Sequence, residues 1–114
     1  MHYKLIVTDE MNSRLNDCID YLVNNIKNVQ AAQNLLSGVV KIYDHLEINP
    51  RIYRESEDPF MAAFHYREAK LNGMDYIIIY KIVDYTVFIM GIFHCLENYV
   101  DKIKPGLFWG ILIN

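Results

Sequence analysis

Two short stretches of this chain hold residue types that bind anions or move protons. Arg67 and Lys70 stand in one; His94, Glu97 and Tyr99 stand in the other. A guanidinium or ammonium suits a phosphate or an acidic partner. Histidine, carboxylate and tyrosine are the usual proton carriers. Each also has a plain structural reading. Arg67 shares a strand face with His65, and the pair is either solvated on an open sheet or touches a phosphate or partner. His94 ends a buried strand, so it is either a proton carrier or a cap for the next helix. Tyr99 closes a core edge or faces a ligand. Glu97 is a general base or a favourable charge in a helix's first turn. Tyr76 and Tyr80 lie on one face of a central strand, and the spacing does not say whether that face is covered or open. Cys95 reads as a small buried hydrophobe, since no cation flanks it in the sequence.

The elements that must position these groups are set by periodicity. His2 to Thr8 alternates as a short strand, and Thr8 or Asp9 can cap the next helix. Met11, Leu15, Cys18, Ile19, Leu22, Val23 and Ile26 recur in steps of three and four, so that helix has one apolar face. Asn24, Asn25 and Asn28 end it. A second run, Ala32, Leu35, Leu36, Val39, Val40, Ile42, Tyr43 and Leu46, stops before Asn49-Pro50. The short link makes the two an antiparallel helical hairpin. Residues 50–59 read as a loop. Ala62 to Leu71 alternates as a strand, Asn72-Gly73 signals a hairpin, and Met74 to Val83 returns. Asp84-Tyr85 turns the chain into a strand over Thr86 to Phe93. A short helix, His94 to Ile103, ends at Lys104-Pro105-Gly106. The fold class is therefore α+β in two layers: an N-terminal strand, a helical hairpin, a three-stranded antiparallel meander and a short C-terminal helix. The first strand must pair with an edge of the meander or stay solvated.

Composition limits the classes. One domain of 114 residues, 53% apolar and 22% charged, is neither disordered nor repetitive. A net charge of −3 argues against coating nucleic acid by bulk electrostatics. The first eight residues lack a signal-peptide core. Two cysteines, with no Cys-x-x-Cys and no paired histidines, point to reduced thiols, a cytoplasmic protein, no metal and no cofactor. The run from Tyr76 to Phe93 is long enough for a membrane span, but Lys81 and Asp84 interrupt it, and its β-branched and aromatic residues fit two buried strands. No membrane partner is expected.

The element order and three local patterns resemble the RelE/ParE superfamily of toxins from type II toxin–antitoxin systems. The patterns are the opening YKLIVTDEMNSRLNDCIDYL, the paired strands MDYIIIYKIVDYTVFIMGIFH, and the closing run His94-Cys95-Leu96-Glu97-Asn98-Tyr99. The resemblance covers residues 2–103. It implies a toxin that arrests growth or stabilises a plasmid, is neutralised by a cognate antitoxin protein, and acts in one of two ways. RelE-like members cleave mRNA at the ribosome without a metal: the RNA 2′-OH attacks the adjacent phosphate while the protein moves protons and stabilises charge. ParE-like members poison DNA gyrase and catalyse nothing.

Carried over position by position, the resemblance makes Arg67, His94 and Tyr99 the catalytic candidates. Lys70, Tyr76, Tyr80 and Glu97 become contacts for substrate or partner. Two cations of the cleaving members are missing, since Ile77 and Cys95 stand where arginines are common. Residues 51–81 hold five positive and five negative side chains, not a basic cluster. Losing one preorganised donor at an oxyanion costs roughly 3–4 kcal/mol, so losing two leaves little catalysis. Arg67 or Lys70 could replace one of them; otherwise this lowers the cleavage reading and is compatible with gyrase binding, or with a degenerate toxin that serves as a protein-binding module.

The toxin-like domain spans residues 1–106, and residues 107–114 form an apolar tail, Leu-Phe-Trp-Gly-Ile-Leu-Ile-Asn. Such a segment must cover the chain's own core or bridge a homodimer. Deleting it should change the melting temperature or the oligomeric state, which light scattering would record; an unchanged truncated chain would refute that role.

Overall fold

A computed structural model describes residues 2–103. The sequence-assigned tail falls outside the described residues. β1 (Lys4–Val7) leads into α1 (Asp9–Asp20), which runs on through a π-helical turn, Tyr21–Asn25. Lys27 takes a left-handed φ of 58°, and Asn28 then caps α2 (Val29–Ile48) by accepting from the Ala31 N–H at 3.0 Å. The asparagines thus mark the break between the helices, as expected. The Tyr3 N–H donates to Glu47 O at 2.7 Å, so the end of α2 returns to the start of β1. A 3-10 turn, Pro50–Ile52, and a short helix, α3 (Pro59–Ala63), precede β2 (Tyr66–Lys70), β3 (Tyr76–Val83) and β4 (Thr86–His94). The chain then reaches α4 (Tyr99–Ile103).

The sheet order is β1-β4-β3-β2. The meander is antiparallel, and β1 pairs in parallel with β4 from Lys4↔Thr86 to Val7↔Ile89. The first strand is therefore paired. Two boundaries differ from the sequence reading. The expected strand from Ala62 begins only at Tyr66, because Asp58 accepts from the Phe60 and Met61 N–H groups and starts α3 at Pro59. His65, at a φ of 62°, then redirects the chain. The expected helix from His94 begins only at Tyr99. Side chains capture the intervening N–H groups: His94 N–H donates to Glu97 Oε1, and Leu96 N–H to His94 Nδ1. Leu96, in this turn, is 89% exposed.

Both faces of the sheet are apolar. Under α1 and α2 lie Met11, Leu35, Val39, Leu46, Ile78, Tyr80, Ile89 and Ile92. On the opposite face α3 and α4 cover Met61, Tyr66, Ile79, Phe93 and Ile103. This two-sided burial explains why β3 is nearly continuous in apolar residues. Between Ile79 and Tyr80 the register skips: Ile79 faces Gly91, and Tyr80 faces Ile89. Met90 is the extra residue of a β-bulge. It brings Ile92 and His94 to the helix-hairpin face that Val87 and Ile89 already occupy.

Tyr80 is fully buried, and its hydroxyl donates to Pro50 O at 2.6 Å. Replacing it by phenylalanine leaves that carbonyl without its donor. Tyr80→Phe should cost about 1–2 kcal/mol in urea unfolding, with an unchanged m-value.

Candidate functional site

Thr8 caps α1 by accepting from the Met11 N–H at 3.2 Å, and its own hydroxyl donates to Ile89 O at 2.7 Å. The start of α1 is thereby pinned to β4. Beyond Ile89, β4 has no strand on its β1 side among the described residues. Arg14 fills that gap. Its Nε donates to Ile92 O at 2.7 Å, and its guanidinium lies 4.0 Å from the Phe93 ring centroid on the far face. Gly91 permits this approach, because a Cβ there would meet Phe93 Cε2 at 2.9 Å and Arg14 Cδ at 3.5 Å.

Past Arg14 opens a groove of about 320 Å³ lined by Arg14, Asp17, Cys18, Tyr21, Tyr76, His94 and Glu97. Glu97 is its electrostatic centre. It pairs with Arg14 Nη2 at 2.9 Å and with Lys102, and it accepts from the His94 N–H at 2.7 Å. Burial pushes its carboxyl up. The hydrogen bonds from Lys102, the His94 N–H and Arg14, with the charge of Arg14, outweigh that and bring it down to about 2. His94 Nδ1 accepts from the Leu96 N–H at 3.2 Å, so a neutral ring carries its proton on Nε2. The ring packs edge-on against Tyr76 at 5.5 Å. Burial raises the Tyr76 hydroxyl, and it also raises the Cys18 thiol despite the nearby Arg14 charge, which makes Cys18 a poor nucleophile.

Of the sequence-derived candidates, His94, Tyr76 and Glu97 meet in this groove. The others do not. Arg67 faces the helix-hairpin side, where its Nη1 donates to Tyr53 O at 2.6 Å. His65, assigned to the same strand face, precedes the strand and contacts Glu55 at 3.1 Å. Tyr80 is buried beneath α2 and offers no surface. Lys70 is exposed at the edge, opposite Ile77, which packs into the apolar cluster under α3 and α4. Tyr99 sits on that same face and donates to Glu68 Oε2 at 2.9 Å. Burial, then the hydrogen bond and charge of Glu68, push its hydroxyl up to about 12. Arg67, His94 and Tyr99 thus belong to three separate environments.

The residue missed from sequence is Arg14. Its signal was present: residues 11, 14, 18 and 21 step by three, four and three, so Arg14 borders the apolar face of α1. Asp17 joins the groove from the same helix.

This architecture, a strand and helical hairpin closed by a meander whose last strand pairs with the first, is that of the RelE/ParE superfamily toxins. The family model described as "ParE toxin of type II toxin-antitoxin system, parDE" matches residues 5–99, and the chain belongs to that family. It is therefore the toxin of a type II toxin–antitoxin system. Two solved structures share the fold. A chain of the chromosomal ParDE system from P. aeruginosa superposes with a TM-score of 0.67, at 17% identity over 82% of this chain and 96% of that chain. A chain of the RelBE2 toxin–antitoxin complex from Mycobacterium tuberculosis gives 0.58, at 19% identity over 82% and 99%. No curated protein matches significantly. Among the described residues, no helix is long and apolar enough to cross a membrane.

Glu97 titrates lower in the folded chain than in the unfolded one, whose ordinary value is 4.5. Its contribution is therefore full above about pH 4.5 and is lost as pH falls toward 2. The wild type should lose on the order of 2–3 kcal/mol more than Glu97→Gln between pH 5 and pH 2 in urea titrations. Equal losses would show that the carboxylate is not held this way.

Proposed function

We propose that this toxin arrests growth in the cytoplasm by binding DNA gyrase, without cutting mRNA, and that an antitoxin protein neutralises it by covering the binding surface. The observation that carries the reading is the dispersal of the cleavage candidates. Arg67 is tied to Tyr53 O, Tyr99 to Glu68, and His94 lies in the groove beside Arg14 and Glu97. At the two positions where cleaving relatives carry arginine, Ile77 packs into an apolar cluster and Cys95 carries no charge. A developing phosphorane would meet no convergent cations there.

The surface supports binding instead. The helical hairpin exposes Ile26, Val29, Leu36 and Val40, of which Val29, Leu36 and Val40 fall on one narrow stripe of α2. The same periodicity that marks the core, Leu35, Val39, Ile42 and Leu46, includes Leu36 and Val40, yet both face solvent. Apolar stripes of this kind mark protein-interaction surfaces. Both structural neighbours belong to toxin–antitoxin systems, which supports an antitoxin partner here.

Expression alone should arrest growth, and co-expression with the cognate antitoxin should restore it. In a supercoiling assay the purified chain should trap gyrase–DNA cleavage complexes, while ribosome profiling shows no A-site cuts. A-site cuts would overturn the gyrase reading, and normal growth with tight antitoxin binding would mark a degenerate, binding-only toxin. The double change Leu36→Glu, Val40→Glu should abolish arrest while moving stability by no more than about 0.5 kcal/mol, because both side chains are already solvated.

A further inference from the structure

On the face beneath α3 and α4, one cross-strand row runs Tyr66, Lys81, Phe88, Ile6. Lys81 is 8% exposed and Tyr66 is fully buried. The Lys81 ammonium lies 5.7 Å from the Tyr66 ring centroid, and among the described residues it forms no ion pair. The Tyr66 hydroxyl is buried with no hydrogen-bond partner. Glu68, the acid next along this face of β2, already accepts from Ser56 Oγ and the Tyr99 hydroxyl. The Tyr66 hydroxyl is thus out of water without an acceptor, beside a largely buried lysine on the neighbouring strand that has no counter-charge, which is costly unless something else supplies one. Burial lowers the Lys81 ammonium, in keeping with a missing counter-charge.

The surroundings indicate what the acceptor is. Phe64 packs against the cluster that contains Tyr66 and meets the Phe60 ring at a tilt, with centroids 5.4 Å apart. Apart from Glu68, whose Oε2 takes the bonds from Ser56 and Tyr99, the site is apolar around a single cation, and the chain carries a net charge of −3. A polyanion is disfavoured there, whereas one carboxylate set among apolar groups matches both the two donors and their walls. We propose that Lys81 and Tyr66 receive a carboxylate carried by an apolar segment of a partner protein. The proposal stands whichever target the toxin has.

The test uses the full chain, with NMR of the Lys81 side-chain methylenes and the Tyr66 ring. The probes are 3-phenylpropionate, its neutral amide and inorganic phosphate. The acid should shift both side chains saturably, raise the pH at which Lys81 titrates, and bind roughly tenfold tighter than the amide. Lys81→Gln and Tyr66→Phe should each erode that preference, with amide spectra showing a retained fold. If either variant unfolds, the acid–amide comparison on the wild type still decides. Equal binding of acid and amide, or no response at Lys81, would overturn the proposal. Phosphate binding more tightly than the acid would overturn it in favour of a phosphate site.

Discussion

The functional end of this molecule depends on how the uncovered edge of β4 is satisfied. β4 is nine residues long and β1 only four, so β1 pairs with β4 no further than Ile89. Carbonyls beyond that point need donors that are not strands, because an unpaired buried carbonyl is costly. The Thr8 hydroxyl reaches Met90 O at 3.3 Å, and Arg14 reaches Ile92 O. Arg14 can reach Ile92 only because Thr8 pins the first turn of α1 against β4. Once there, its Nη2 turns to Glu97, whose second oxygen holds the His94 N–H. One backbone requirement therefore places a cation, a carboxylate and a histidine in a single groove.

The same network shapes the C-terminal segment. Glu97 draws together α1, the end of β4 and Lys102 of α4. Tyr99, two residues on, points to the other face of the sheet and is held by Glu68. The turn from His94 to Asn98 thus straddles the sheet edge, and neighbouring residues in sequence serve different faces. That division is why a closing motif that reads as one site in the sequence does not assemble as one. It also leaves Leu36 and Val40 exposed on the helix-hairpin surface.

Burial on both faces has a second consequence. A sheet sandwiched between a helical hairpin and two short helices has few places for a charge, yet β3 carries Lys81 in its middle. In the sequence this lysine argues against a membrane span. In the fold it is a cation under cover, while the exposed cation at the strand edge, Lys70, faces solvent.

Much of the fold was legible because it is written in local periodicity. Steps of three and four marked α1 and α2, three asparagines marked their break, Asn72-Gly73 marked a turn, and the unbroken apolar run of β3 marked a central strand. His94, Tyr76 and Glu97, which share one groove, were legible as candidates because the closing segment and the central strand carry distinctive types. Arg14 was not, since its role comes from an edge more than seventy residues away in the chain. Nor was the separation of Arg67 and Tyr99 from His94. Side-chain alternation along β4 would put Val87 and Ile89 on one face and His94 on the other. The bulge at Met90 reverses that parity, so His94 joins the helix-hairpin face. Chemical identity and element type reside in the residues and their near neighbours. Which side of the sheet a residue serves depends on strand pairing, and pairing is settled only when distant segments meet.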